Sequence, residues 1–360
     1  MINVTKTFFP PKEHFLKYVD RIYQSGWMTN NGTILNELEK RLCDYLGVEN
    51  LVLVSNGTLA LQIAYKVLGI QGSVVTTPFS FVATTSSLVW EKHKPVFADI
   101  DPETFNINPD EVLKALDKNT GAVLPVHVFG NPCDVVRLEE ICRERNIKLI
   151  FDAAHAFGIQ YQGKSILKYG DASILSFHAT KVFHTIEGGA IVFKDPADCQ
   201  LARLMINFGI STYDKVDVVG INCKMNEFQA AMGMCVLDEM DSILQKRKLV
   251  WEKYYEAFKG NKHIDLQKWQ TETNLNFSYF PVALKDENIT LNIKSILNHE
   301  GIYPRRYFYP SLNKLTYLSS SAECKYSESL ASRILCLPIY PDLPEDIQEH
   351  IIDVIIKNSD

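Results

Sequence analysis

The sequence predicts an α/β fold: a large domain built on a mostly parallel β-sheet, then a smaller C-terminal α+β domain. Three observations predict it. Short apolar runs alternate with helix-length segments from residue 51 to residue 193, the pattern of a buried sheet with helices on both faces. At 360 residues and 46% hydrophobic, the chain can fill one large core and a second, smaller one. After a long helical stretch over 226–259, a second alternation of strands and helices begins near Trp269. We place the large domain at 1–249 and the small one at 250–360.

Residues 1–35 read as an irregular arm with one helix over 11–24. The turn-rich Gly26-Trp27-Met28-Thr29-Asn30-Asn31-Gly32 breaks it. Trp27 in such a loop serves as a packing anchor or as part of a pocket rim. Residues 33–46 are helical, with Ile34, Leu35, Leu38, Leu42 and Leu46 near helical spacing. The strand 51–54 runs into Ser55-Asn56-Gly57-Thr58 and an apolar helix over 59–68. A strand, a tight glycine turn and a helix N-terminus make an anion site, because free backbone N–H groups and the helix dipole point at the turn. Thr58 can cap the helix and offer a hydroxyl; the plain alternative is a capped helix with no ligand.

Strands follow at 73–77, 94–99, 121–128, 148–152, 171–176 and 190–193, with helices after Pro78-Phe79-Ser80-Phe81 and over 134–145. In such sheets ligands bind at the C-terminal ends of the strands. Asp152 lies at one such end and Gly57-Thr58 at another. In the small domain we read a strand at 277–282, a helix at 290–299 and the stretch Tyr303-Pro304-Arg305-Arg306-Tyr307-Phe308-Tyr309-Pro310. A polar segment at Ser319-Ser320-Ser321, an apolar run at 334–338 and a last helix over 344–356 complete it.

Composition excludes several classes. Net charge is -6 with no lysine or arginine run, so no nucleic-acid partner is expected. No apolar run approaches a membrane span, and no basic-then-apolar leader opens the chain. The eight cysteines form no C-x-x-C pair and no zinc spacing, which fits reduced, buried thiols of a cytoplasmic protein and no metal. No G-x-G-x-x-G follows the first strand and no P-loop is present.

The chemistry gathers around Ser176-Phe177-His178-Ala179-Thr180-Lys181-Val182-Phe183-His184-Thr185-Ile186-Glu187-Gly188-Gly189-Ala190. Lys181 sits between apolar neighbours in a short segment joining two strands. Burial there favours the neutral, nucleophilic amine. Pyridoxal 5'-phosphate needs such an amine for its aldehyde. It also needs a carboxylate to keep its ring nitrogen protonated, an anion cradle and a ring to stack on. Lys181, Asp152, the Gly57-Thr58 turn with Ser176, and Phe79 or Phe81 supply that set. Each part has a plain alternative: Asp152 capping the next turn, His155 as a core histidine, Ser176 as a strand-end hydroxyl. Their co-occurrence at strand C-termini favours the cofactor.

Several stretches resemble the signatures of the DegT-type nucleotide-sugar aminotransferases. They are Asp152-Ala153-Ala154-His155-Ala156, Ser176-Phe177-His178-Ala179-Thr180-Lys181, Glu187-Gly188-Gly189-Ala190, Ser55-Asn56-Gly57-Thr58-Leu59-Ala60-Leu61, Thr77-Pro78-Phe79-Ser80-Phe81-Val82-Ala83-Thr84 and Gly220-Ile221-Asn222-Cys223-Lys224-Met225-Asn226-Glu227-Phe228-Gln229-Ala230-Ala231. The resemblance implies the aspartate aminotransferase (type I) fold and a homodimer with shared active sites. It implies Lys181 as the Schiff-base lysine, Asp152 as the partner of the pyridine nitrogen and His155 beside the ring hydroxyl. Phe81 becomes the stacking aromatic, and Gly57, Thr58 and Ser176 the phosphate cradle. Asn222 reaches the phosphate of the other subunit's cofactor. Lysine at 181, where some relatives carry histidine and act as dehydratases, implies transamination.

The opening residues 4–11, the Trp27 loop and the 305–310 stretch look most like the family members that aminate C4 of dTDP-4-keto-6-deoxy-D-glucose. The implied reaction moves an amino group from L-glutamate to that C4 ketone. Its product, dTDP-4-amino-4,6-dideoxy-D-glucose, serves surface polysaccharide (O-antigen, lipopolysaccharide) synthesis. Arg305 and Tyr307, with Trp27, are candidate substrate contacts, because a nucleotide sugar carries a pyrophosphate. The alternatives are a 3-aminotransferase on an isomeric 3-keto sugar, a 4-aminotransferase on another nucleotide-linked 4-keto sugar, and a non-catalytic protein that keeps the pocket for binding or regulation.

Overall fold

The computed structural model describes residues 1–318 and 322–360; the polar segment expected at Ser319-Ser320-Ser321 lies outside the described residues. Seven strands form the central sheet: β1 Leu51–Val54, β2 Ser73–Thr76, β3 Lys94–Phe97, β4 Thr120–Leu124, β5 Lys148–Asp152, β6 Ala172–Ser176 and β7 Gly189–Phe193. Their spatial order is β1-β7-β6-β5-β4-β2-β3. Only β7 runs against its neighbours β1 and β6; the other pairs are parallel. The mostly parallel sheet expected from the sequence is therefore present.

The strands are apolar on both faces because both faces are covered. Leu51, Leu53, Val123, Leu149, Phe151 and Leu175 join one core, against the helices Thr33–Leu46 (α1) and Glu227–Asp238 (α2). Val52, Val54, Ala122, Leu124, Ile150 and Ile174 join the other, against the helix Gly57–Val67. The alternation of strand side chains sends successive residues to opposite cores.

A third core holds Val282, Leu335, Ile293 and Ile355 around a three-stranded sheet that includes Pro281–Ala283 and Ile334–Cys336. The helix Met240–Phe258 runs from the first core, at Ile243, to the third, at Tyr254. The N-terminal Ile2–Asn3 pairs in parallel with Ile302–Tyr303 and so joins this third region.

Three local expectations change. The strand expected at 277–282 shortens to Pro281–Ala283. Phe277 sits at φ 54, and Arg247 takes the Phe277 and Ser278 carbonyls at 2.9 and 2.7 Å. Tertiary hydrogen bonds hold this segment out of the ladder. The helix after β1 starts at Gly57, and its cap is Asn56, whose Oδ1 accepts the Leu59 N–H at 2.9 Å. Thr58 is thus not the cap. The helical stretch expected over 226–259 is two helices, Glu227–Asp238 and Met240–Phe258.

Candidate active site

The C-terminal ends of β1, β2, β5 and β6 open onto one cavity of ≈ 300 Å³. Its lining includes Gly57, Thr58, Phe81, Asp152, His155, Ser176 and Lys181 from the large domain, and Tyr279, Arg305 and Tyr307 from the smaller one. Nine residues singled out from sequence thus meet on one wall system. Trp27 and Asn222 do not. Trp27 is half-exposed in its loop, with Nε1 donating to the Asn30 carbonyl at 2.7 Å. Asn222 pairs with Asn207 as a single antiparallel bridge outside the cavity.

The lysine segment is pinned from both sides. Phe177, Val182 and Phe183 are buried in the large-domain core, and Phe183 stacks on Phe157 at 4.6 Å. The Lys181 N–H donates to the His178 carbonyl at 2.8 Å, and the Phe177 N–H to the Gly188 carbonyl at 2.8 Å. Glycine is required at 189. A Cβ there would stand 2.8 Å from the Leu175 carbonyl oxygen and 2.9 Å from the Gly57 nitrogen. The same closeness brings the Gly57 turn onto Ser176, where a Cβ at Gly57 would meet the Ser176 Cβ at 3.1 Å.

Charges in the cavity wall are held away from water. Burial pushes the Lys181 ammonium down to about 8, partly countered by the Asp152 charge. Burial pushes the Asp152 carboxyl up, against the Thr84 hydroxyl, the Ala154 N–H and the Lys181 charge, all of which favour the anion. Thr84 Oγ1 donates to Asp152 Oδ2 at 2.8 Å and lies 2.7 Å from Ser80 Oγ; the Ala154 N–H donates to Oδ1 at 3.1 Å. His155 is held neutral by burial and the nearby Lys181 charge. Its Nδ1 accepts the Phe129 N–H at 3.3 Å, which places the ring proton on Nε2. Its ring is parallel to those of Phe129 and Phe308, within 8° and 1°, with centroids 6.2 and 5.8 Å away.

These features fit pyridoxal phosphate. Asp152 is buried with two hydrogen-bond donors and, among the described residues, no cationic side chain in a salt bridge, so a cationic ring N–H completes it. The neutral His155 offers an Nε2–H to a ring oxygen. The Gly57 and Thr58 N–H groups, in the first turn of their helix, have no intrahelical partner, and both residues line the cavity with Ser176. Sequence reasoning missed Thr84 as the support of Asp152. It lies in the first turn of the helix Val82–Trp90, and its contact with Asp152 spans 68 residues, so no local spacing signalled it. Tyr279, Phe308, His178 and Glu187 also line the cavity; for Tyr279 and Phe308 nothing in the local pattern marks them.

A mostly parallel sheet with a lysine and a buried aspartate at its strand ends fits a type I pyridoxal phosphate-dependent enzyme. The comparisons agree. Residues 11–356 match the DegT/DnrJ/EryC1/StrS aminotransferase family, and the chain belongs to that family. It is 42% identical, over 98% of both chains, to a dTDP-4-amino-4,6-dideoxy-D-glucose transaminase of Shigella dysenteriae. It is 35% identical, over 99% of this chain and 98% of the other, to a protein of the same name from Escherichia coli. The crystal structure of DesI, solved in the presence of its TDP-sugar product, superposes with a TM-score of 0.93 at 32% identity, over 98% of this chain and 92% of that one. The chain is an aminotransferase that uses pyridoxal phosphate.

Proposed function

We propose that this aminotransferase transfers the amino group of L-glutamate to the C4 ketone of dTDP-4-keto-6-deoxy-D-glucose, giving dTDP-4-amino-4,6-dideoxy-D-glucose for surface polysaccharide synthesis. The buried Asp152 carboxylate and the depressed Lys181 amine in one cavity carry the reaction class. The shared name of the two relatives, matched over nearly their whole lengths, supports the sugar.

The geometry supports a role for each residue of the cavity wall. The Gly57 and Thr58 N–H groups and the Ser176 hydroxyl bind the cofactor phosphate at a helix N-terminus. Phe81 covers the ring. Asp152 holds the proton on the ring nitrogen, and Thr84 and the Ala154 N–H keep the carboxylate aimed. His155 donates its Nε2–H to the ring oxygen. Bound pyridoxal phosphate supplies a carbonyl that exchanges oxygen for an amino group and a cationic ring that draws electrons from the adjacent C–H bond. Lys181 holds and moves a proton at Nζ, a task that suits an amine titrating near 8. Arg305 and Tyr307, the guanidinium 4.5 Å over the phenol ring, offer donors to the pyrophosphate.

Asn222 and Trp27 serve the site of a second subunit rather than their own. Exposed apolar side chains next to Asn222, among them Phe208, Val219 and Ile221, support a homodimer. Residues 1–249 and 250–360 act as the two units that close on the substrate, in the cytoplasm; no helix among the described residues is long and apolar enough to cross a membrane.

The test is to incubate the protein with glutamate and the 4-keto or the isomeric 3-keto sugar nucleotide and to locate the new amine by NMR. We expect it at C4. An amine at C3 would overturn the regiochemistry. An absorbance spectrum of the bound cofactor that glutamate leaves unchanged would overturn transamination.

A further inference from the structure

His178 and Glu187 line the same cavity as Lys181 and have no part in the roles above. His178 Nδ1 accepts the Thr180 N–H at 3.3 Å and lies 2.8 Å from Thr180 Oγ1. An accepting Nδ1 leaves the ring proton on Nε2. That Nε2 lies 3.6 Å from Glu187 Oε1, too far for a hydrogen bond. The two groups are neighbours not committed to each other: one donor and one acceptor on the wall of a ligand cavity.

The segment carrying Glu187 is held in an uncommon conformation. Ile186, a β-branched residue, sits at φ 70, a backbone region that such side chains rarely adopt. Three hydrogen bonds impose it: Thr185 Oγ1 to the Glu187 carbonyl at 2.7 Å, the Ile186 N–H to His184 Nδ1 at 3.3 Å, and the Phe177 N–H to the Gly188 carbonyl at 2.8 Å. Strain maintained in this way clusters at ligand sites. Here its consequence is the placement of one carboxylate.

A carboxylate in this cavity is out of keeping with most of what the cavity takes. The cofactor phosphate, the pyrophosphate and the carboxylates of glutamate are all anions that Glu187 repels. An acceptor beside a donor suits a group that does both, and a hydroxyl is such a group. An ammonium only donates, and a phosphate oxygen only accepts.

We propose that Glu187 and His178 recognise a ring hydroxyl of the nucleotide-linked keto sugar, Glu187 accepting its proton in a hydrogen bond and His178 Nε2–H donating to its oxygen. The inference rests on the sugar-nucleotide reading above and goes beyond it by assigning the residues that sense the hexose ring.

The test compares Glu187→Gln and His178→Ala with the wild type in two measurements on the holoenzyme. Calorimetry measures binding of the dTDP-linked amino sugar and of dTDP alone. Rapid-mixing absorbance follows the glutamate and keto-sugar half-reactions separately. A lost hydrogen bond to a charged group predicts that Glu187→Gln weakens the sugar nucleotide about tenfold or more, with dTDP affinity kept. The keto-sugar half-reaction slows at least about tenfold more than the glutamate half-reaction. Unchanged sugar-nucleotide affinity in both variants overturns the proposal. So does equal weakening of dTDP, which marks general electrostatics, or a larger loss in the glutamate half-reaction, which marks an ammonium site. A wild-type protein that binds no sugar nucleotide instead overturns the function from which the proposal starts.

Discussion

Lys181 and Asp152 show how one cavity wall sets two titrations in opposite senses. Burial removes water from both, so the amine loses its proton more easily and the carboxyl keeps its proton longer. The nucleophile is the neutral amine. Its fraction rises from about a tenth one pH unit below the pKa to most of the population one unit above it. Cofactor capture by the cofactor-free protein should therefore accelerate with pH through about 8 and level off above it. Stopped-flow absorbance reads this directly, and a flat profile would refute it. Thr84→Val removes one donor from Asp152 and keeps the volume. We expect the carboxyl to move further up, with cofactor affinity down about tenfold or more, since a hydrogen bond to a charge is worth roughly 1.5–3 kcal/mol. Equilibrium dialysis measures it; unchanged affinity would leave the Ala154 N–H as the sufficient support.

Among the elements, α2 has a second task besides covering the sheet. Glu227, in its first turn, is 1% exposed and accepts the Ile34 and Leu35 N–H groups of α1 at 3.0 and 2.8 Å. One helix thus caps the start of another, a job no side chain of Gly32 at the α1 N-cap could do. The Glu227 N–H also donates to the Met28 carbonyl at 3.2 Å, which ties the Trp27 loop to the helix that follows Asn222. Glu227→Ala leaves two buried N–H groups without partners. It should cost about 3 kcal/mol, seen as a lower denaturant midpoint with an unchanged slope. A loss below about 1 kcal/mol would mean that water replaces the carboxylate.

At the scale of the whole molecule, the active-site cavity borders a further core that joins Phe79 and Phe129 to Tyr279 and Phe308. Its floor is the strand ends of the large sheet; its far wall includes Tyr279, Arg305 and Tyr307. Asn222 is not part of its lining, and this drives the proposal that each subunit completes its partner's site. Subunit mixing tests this. Lys181→Ala and Asn222→Ala homodimers should each be weakly active. After unfolding and refolding together, mixed dimers should regain up to one wild-type site in two, because one site then receives both intact residues. No recovery above the sum of the parents would place Asn222 in its own subunit's site, or outside any site.

What the sequence by itself determined lies within short stretches of chain. Apolar runs between helices specify a mostly parallel sheet, since strands buried on both faces need no polar alternation. Lys181 with its apolar flanks, Asp152 at a strand end and the Gly57 turn are each legible as local segments, and parallel order brings strand C-termini to one edge. Only the tertiary structure decided what depends on contacts across the chain. Thr84 supports Asp152 from 68 residues away. The Phe129 N–H fixes the His155 proton. Arg247 withdraws residues 277 and 278 from a strand that their composition favours. Asn56, rather than Thr58, became the cap because the helix begins at Gly57, leaving Asn56 extended before it and Thr58 inside its first turn. Such contacts are set by how helices and sheets dock, and docking geometry leaves no trace in the periodicity of any one segment.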